Sequence, residues 1–300
     1  MITWAVVRQT KSLLCAVVGL FIACSSTSSK ERLPAADAGG SGGGVSDAAV
    51  DGAGGATADA SADAAPDAAT DAPGAGYAAA VLADDPVLYL RFEDSGGGAG
   101  FQLQNLGSLG EKCSLTSDQL LLGQPGIGAS LAVQLNGVGT IQCESAVAFP
   151  NKDSFTLEGW FRIANKTVSP QRLIHRLSSK TGSAQGYLLE TDLSAGLVAR
   201  RYEDGNPASV AQLLGAGLPL NKWTYVAATY DGTSSNFCLQ LDAEALKCGV
   251  SNQKLLAASV LLTIGGPGSN FRGFIDEVAI YAKALPKSRL LEHFAAGKAP

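Results

Sequence analysis

Residues 271–285, FRGFIDEVAIYAKAL, alternate as a β-strand does, and no other stretch constrains the fold as strongly. The alternation sets Phe274, Asp276, Val278 and Ile280 on one face and Ile275, Glu277, Ala279 and Tyr281 on the other. Both faces are partly apolar. That suits a strand covered on both sides, or one whose outer face is a binding surface. Asp276 then stands as a carboxylate in an otherwise apolar row, where it needs partners.

A strand of this kind needs a core, and only part of the chain can supply one. Residues 35–76 are almost wholly Ala, Gly, Asp, Ser and Pro, with no aromatic before Tyr77 and no basic residue after Arg32. Such a segment cannot bury enough apolar surface to fold. Its seven Asp residues carry most of the acidity, so the part from Tyr77 onward has a net charge of only −1. Nothing in the folding part suggests a nucleic-acid footprint.

Ahead of the acidic segment, residues 1–11 carry Arg8 and Lys11 and no acid, and residues 12–23 are apolar. This is the pattern of a signal peptide, and the apolar run is well short of the roughly 20 residues that a spanning helix needs. The sequence Phe21-Ile22-Ala23-Cys24 resembles a bacterial lipobox, with Phe21 where Leu is usual. That resemblance implies lipidation of Cys24 and, with Ser25 following, an outer-membrane or cell-surface lipoprotein. Ordinary cleavage and release is the alternative. Residues 25–76 then form a tether of roughly 35–40 Å by random-coil scaling.

From Tyr77 the signals turn to strands. Residues 87–92 alternate, glycines at 96–100 break the run, and residues 130–135 alternate again before Asn136-Gly137 turns the chain. Residues 155–163 place Phe155, Leu157, Gly159, Phe161 and Ile163 on a core face and Thr156, Glu158, Trp160 and Arg162 on the other. Residues 223–230, 237–241 and 246–250 follow. With one helical segment at 286–294, the pattern predicts an all-β, two-sheet antiparallel jelly-roll sandwich over residues 77–300.

Four cysteines fall in this domain, an even number in a chain that reads as exported. No C-x-x-C occurs and only His175 and His293 are present, so a zinc site is not indicated. Four cysteines allow three connectivities. A hairpin centred on Ala243 sets Cys238 opposite Cys248, which favours that bridge and leaves Cys113 to pair with Cys143.

Six segments together carry a resemblance: YLRFED at Tyr89, SLAVQLNGVG at Ser130, FTLEGWFRI at Phe155, NKWTYVAATYDG at Asn221, LQLDAE at Leu239 and FRGFIDEVAIYAKALP at Phe271. In order and spacing they resemble the LamG-like (laminin G, concanavalin A-like) jelly roll. The resemblance implies binding of carbohydrate or glycoconjugate, with surface-protein partners as the neighbouring class. It also implies Asp276 as a calcium ligand, with Asp231 or Asp242. Against this, Asn136-Gly137 is followed by Val138 where the family has Asp, which speaks against an inherited cation site. The structural alternative for Asp276 is to accept backbone N–H bonds from a neighbouring loop.

Concanavalin A-like glucanases place paired carboxylates about 5–5.5 Å apart in an E-x-D-x-x-E or E-x-D-x-E pattern. Glu190-Thr191-Asp192 is the nearest match, lacks the third acid, and reads as an exposed strand end. Asp276 and Glu277, as neighbours on a strand, should point to opposite faces. The expectation is a non-catalytic recognition or adhesion module. Glu158, Trp160 and Arg162 are its candidate binding surface, an aromatic platform with polar flanks; the alternative is that Trp160 packs at the sandwich edge or under a loop. A glycoside hydrolase and a structural envelope protein are the other two classes.

Overall fold

The structure is a computed structural model. It describes residues 75–144, 147–166, 170–178, 185–192, 196–202, 210–252, 254–255, 260–266 and 271–299. The signal segment, Cys24 and residues 25–74 of the tether lie outside the described residues.

A helix, α1 (Ala75–Leu82), comes first, followed by β1 (Leu88–Leu90), β2 (Gln102–Leu103), β3 (Cys113–Leu115), β4 (Leu121–Pro125), β5 (Leu131–Asn136) and β6 (Ile141–Cys143). The long strands are β7 (Phe155–Ile163), β8 (Gln171–Ser178), β9 (Gln185–Asp192) and β10 (Gly196–Tyr202). Then come β11 (Val210–Leu214), β12 (Thr224–Asp231), β13 (Asn236–Leu241), β14 (Lys247–Val250), β15 (Leu262–Ile264) and β16 (Arg272–Tyr281). A second helix, α2 (Lys287–Lys298), closes the chain, entered through Pro286, whose fixed φ suits the position.

The strands form two eight-stranded antiparallel sheets. The first runs β14-β13-β12-β7-β16-β5-β4, with β1 paired to β16 beyond the end of β5. The second runs β11-β10-β9-β8-β15-β6-β3-β2. Between them lies one apolar core. Phe155, Leu157, Phe161 and Ile163 from β7 meet Leu189, Leu197, Leu262 and Ile264 from the facing sheet. Each sheet contributes alternate residues, as period-2 patterning requires.

Both disulfides are cross-strand and join directly opposed residues. Cys113 bonds Cys143 between β3 and β6, and Cys238 bonds Cys248 across the β13–β14 hairpin.

Two features depart from the sequence reading. Residues 75–82 form a helix where strand signals were expected to begin, because AGYAAAVL is rich in the strongest helix former and its Tyr77, Ala78 and Val81 bury against the domain. The alternation of β16 is also broken. Asp276 opposes Trp160 and Ala279 opposes Glu158, so two residues, Glu277 and Val278, stand opposite Gly159 alone. Glu277 sits at φ 51°, the left-handed conformation of a bulge.

Candidate functional site

The outer face of the first sheet is where the expected platform falls, and it is covered. Tyr77 and Val81 of α1, with Leu290 and Phe294 of α2, pack over Tyr89, Trp160, Tyr225, Ala279 and Tyr281. Trp160 is 1% exposed and stacks on Phe294, with Tyr77 at its edge. Glu158 is fully buried and accepts hydrogen bonds from the hydroxyls of Tyr225 and Tyr281, the latter at 2.7 Å. Only Arg162 of the three is partly exposed; its guanidinium lies over Phe274 at 3.9 Å and Trp223 at 5.2 Å. Glu158, Trp160 and Arg162 therefore do not form an open platform. The reason is tertiary: two helices from opposite ends of the domain settle on this face.

The bulge in β16 brings Asp276 and Glu277 to the same face. Asp276 Oδ2 accepts the Ser130 hydroxyl at 2.6 Å and the Ile127 N–H at 3.0 Å. Glu277 accepts from the Tyr89 hydroxyl and, at 3.1 Å, from Arg91 Nε. Burial, together with the charge of Glu277, pushes the Asp276 carboxyl well above the usual range, against the pull of Ser130 and Ile127. Burial likewise pushes Glu277 up to about 7, against Arg91 and Tyr89.

The three aspartates considered for calcium do not converge. Asp231 and Asp242 flank opposite ends of the β13 hairpin strand, roughly 20 Å apart at about 3.3 Å per residue. Asp276 is three strands over from Asp242, roughly 14 Å away at about 4.8 Å per strand. Asp231 caps its own turn through Thr233 and Ser234, and Asp242 accepts the Tyr225 N–H. Among the described residues no cluster of three His, Cys, Asp or Glu side chains could hold a metal.

Glu190 and Asp192 are not an exposed edge pair. They lie on β9, an interior strand between β8 and β10. Glu190 is 3% exposed and ion-paired to Arg200. Asp192 is partly exposed at the strand end. The two share a face, and the guanidinium of Arg200 holds Glu190 through Oε1 as a buried ion pair.

The outer face of the second sheet holds the arrangement that the linear sequence does not reveal. One cross-strand row runs through all eight strands: Gln212, Arg200, Leu188, His175, Thr263, Gln142, Ser114 and Gln102. Seven of the eight carry hydrogen-bonding side chains, and the row spans roughly 34 Å at about 4.8 Å per strand. Gln102 and Gln212 at its ends are exposed, Ser114, Gln142 and Arg200 are half-buried, and Thr263, His175 and Leu188 at its centre are buried. Near one end a depression of about 190 Å³ is lined by Gln102, Ser114 and Gln142. Arg200 Nε donates to Gln212 at 2.7 Å.

His175 is packed under Gly266; a Cβ there would stand 2.3 Å from its Cε1. Burial, with Arg172 nearby, pushes the imidazole down to about 4, so it is neutral at physiological pH. Its Nδ1 and the Nε of Arg172 have no hydrogen-bond partner among the described residues. Every strand contributes one residue to this row. The local signal is therefore a single polar side chain on each of seven strands, which no motif search would gather.

The fold and this surface define a class: two-sheet sandwiches with one largely polar outer face that carries no helix among the described residues. A family profile, Laminin_G_3, described as the concanavalin A-like lectin/glucanases superfamily, matches residues 135–290, just over half of the chain. The chain belongs to that family. No curated protein matches the sequence.

Among solved structures, the binding domain of Paraclostridial mosquitocidal protein 1 is similar at 16% identity and a TM-score of 0.55, over 71% of this chain and 52% of that one. The binding domain of botulinum neurotoxin serotype D matches at 14% and 0.55, over 72% and 52%. Trypanosoma rangeli sialidase matches at 16% and 0.51, over 70% and 32%. The chain thus spans about half the length of the toxin domains and a third of the sialidase. At these identities the likeness is one of fold.

Proposed function

We propose that the chain is a non-catalytic recognition module that binds an extended glycan along the outer face of its second sheet. The observation that carries this is the row from Gln102 to Gln212, polar at seven of its eight positions. The amides of Gln102, Gln142 and Gln212, the hydroxyl of Ser114 and the guanidinium of Arg200 offer donors and acceptors on either side of the buried centre, the kind of surface that pairs with sugar hydroxyls. Family membership and the toxin binding domains support the reading. The sialidase keeps the hydrolase alternative in view, and the Glu190–Arg200 pair speaks against it. Protein partners are the second ligand class.

The disulfides fit an oxidising compartment, in accord with export. In the same proposal, residues 1–24 are a signal peptide, Cys24 carries the lipid at the outer membrane or cell surface, and residues 25–76 tether the domain at 77–300. Replacing Cys24→Ser should move the protein from the membrane fraction to the medium; continued membrane association would overturn the anchor.

The test of the binding reading is a polysaccharide panel scored by thermal unfolding and calorimetry on the full chain, since a ligand of the folded state raises its midpoint. Gln142→Ala with Gln212→Ala should lower affinity at least tenfold while leaving the unliganded midpoint unchanged, both side chains being outside the core. No midpoint rise with any glycan, or full affinity in the double variant, would sink the proposal.

A further inference from the structure

The two tryptophans of the described domain meet on the opposite side of the sandwich from the polar row. Trp160 and Trp223 line a cavity of about 210 Å³, closed by the Ile127–Gly128 turn and by Gly297, Lys298 and Ala299 at the end of α2. It is smaller than the roughly 300 Å³ at which drug-sized sites begin, so it suits a single ring.

The polar lining is incomplete. Trp160 is 1% exposed, yet its Nε1–H has no hydrogen-bond partner among the described residues. Buried indole N–H groups ordinarily find one, and a missing partner costs about 1–3 kcal/mol. A Cβ at Gly297 would lie 2.5 Å from Trp160 Cζ2 and 3.0 Å from Nε1. Glycine alone lets α2 end this close to the indole. The last carbonyls of α2 stand at the same place, and a helix end leaves several of these without intrahelical partners. Trp223 is half-buried, and Lys298 is exposed at the rim.

We propose that this cavity binds one terminal sugar ring of a glycan. The C–H face of the ring stacks on Trp223, an oxygen of the ring accepts the Trp160 Nε1–H, and its hydroxyls donate to the carbonyls ending α2. An apolar ring of equal size would leave these polar groups unpaired. The site is separate from the polar row on the second sheet, and neither depends on the other.

The full chain carrying Trp4→Phe places both remaining indoles in the cavity wall, so their fluorescence reads it directly. Methyl β-D-glucopyranoside, methyl β-D-galactopyranoside and N-acetylglucosamine are the probes. A saturable change with at least one is expected. Trp223→Ala should weaken it at least tenfold, Trp223→Phe should retain part of it, and Gln142→Ala with Gln212→Ala should leave it unchanged. Circular dichroism confirms that each variant is folded. No saturable change with any of the three sugars overturns the proposal, as does an unchanged Kd in folded Trp223→Ala. A saturable response to phenol and to no sugar overturns the ligand class.

Discussion

His293 and Glu158 are 135 residues apart in sequence and in hydrogen-bond contact, the imidazole Nδ1 lying 3.0 Å from Oε1. On its other side, His293 Nε2 lies 3.1 Å from both the Ala80 carbonyl and Asp84 Oδ2. One imidazole therefore ties α2 to the sheet beneath and to the end of α1.

This position makes His293 a pH-dependent clasp. Burial lowers its pKa, but the hydrogen bond and charge of Glu158, the charge of Asp84 and the Ala80 carbonyl outweigh burial and raise it. A raised histidine contributes stability that is complete below its unfolded pKa, about 6.5, and is lost as pH rises through the folded value. His293→Ala should cost about 3 kcal/mol at pH 6, in the range for breaking a buried ion pair, and less at pH 9. Denaturant unfolding at the two pH values checks this; an equal loss at both would show that the clasp is packing alone.

The Asp276–Glu277 pair should add a slope of the same sign. Both carboxyls are raised in the folded state, so the fold binds protons more tightly than the unfolded chain and stability falls as pH rises. For Glu277 the window runs from its ordinary value near 4.5 to about 7. Midpoints measured across that window should decline in the native chain and decline less in Glu277→Gln. A steeper decline in the variant would reverse the assignment.

The disulfides should differ in weight and in access. Cys113–Cys143 closes 30 residues and Cys238–Cys248 closes 10, which corresponds to about 3.6 and about 2.7 kcal/mol in the chain-entropy account. Cys113 and Cys143 are buried in the core, whereas Cys248 is exposed. Mild reductant followed by alkylation and mass spectrometry should label Cys238 and Cys248 first. Replacing the Cys113–Cys143 pair with serines should lower the midpoint more than replacing the other.

Residues at the start of the domain should matter as much as those in its sheets. Tyr77 is 2% exposed, and its ring packs on Trp160 and His293. Tyr77→Ala should cost about 3 kcal/mol, as for other large buried side chains, and should redden Trp160 emission. A loss below about 0.5 kcal/mol would mean that α1 is dispensable to this face.

The sequence by itself determined which face of β7 enters the core, the hairpin that sets Cys238 opposite Cys248, and the two-sheet class. These follow from period-2 alternation and short turns, which are written within a few residues of one another. Tertiary structure alone decided what lies on the outer faces. The second face of β7 reads from its sequence as a binding platform, and it is covered because α1 and α2, from the two ends of the domain, converge on it. Asp276 and Glu277 share a face because a bulge breaks the period on which their separation was argued. The row from Gln102 to Gln212 exists only through the register of eight strands drawn from more than a hundred residues of chain. Register and covering are long-range properties, set by packing between segments, and no local pattern encodes them.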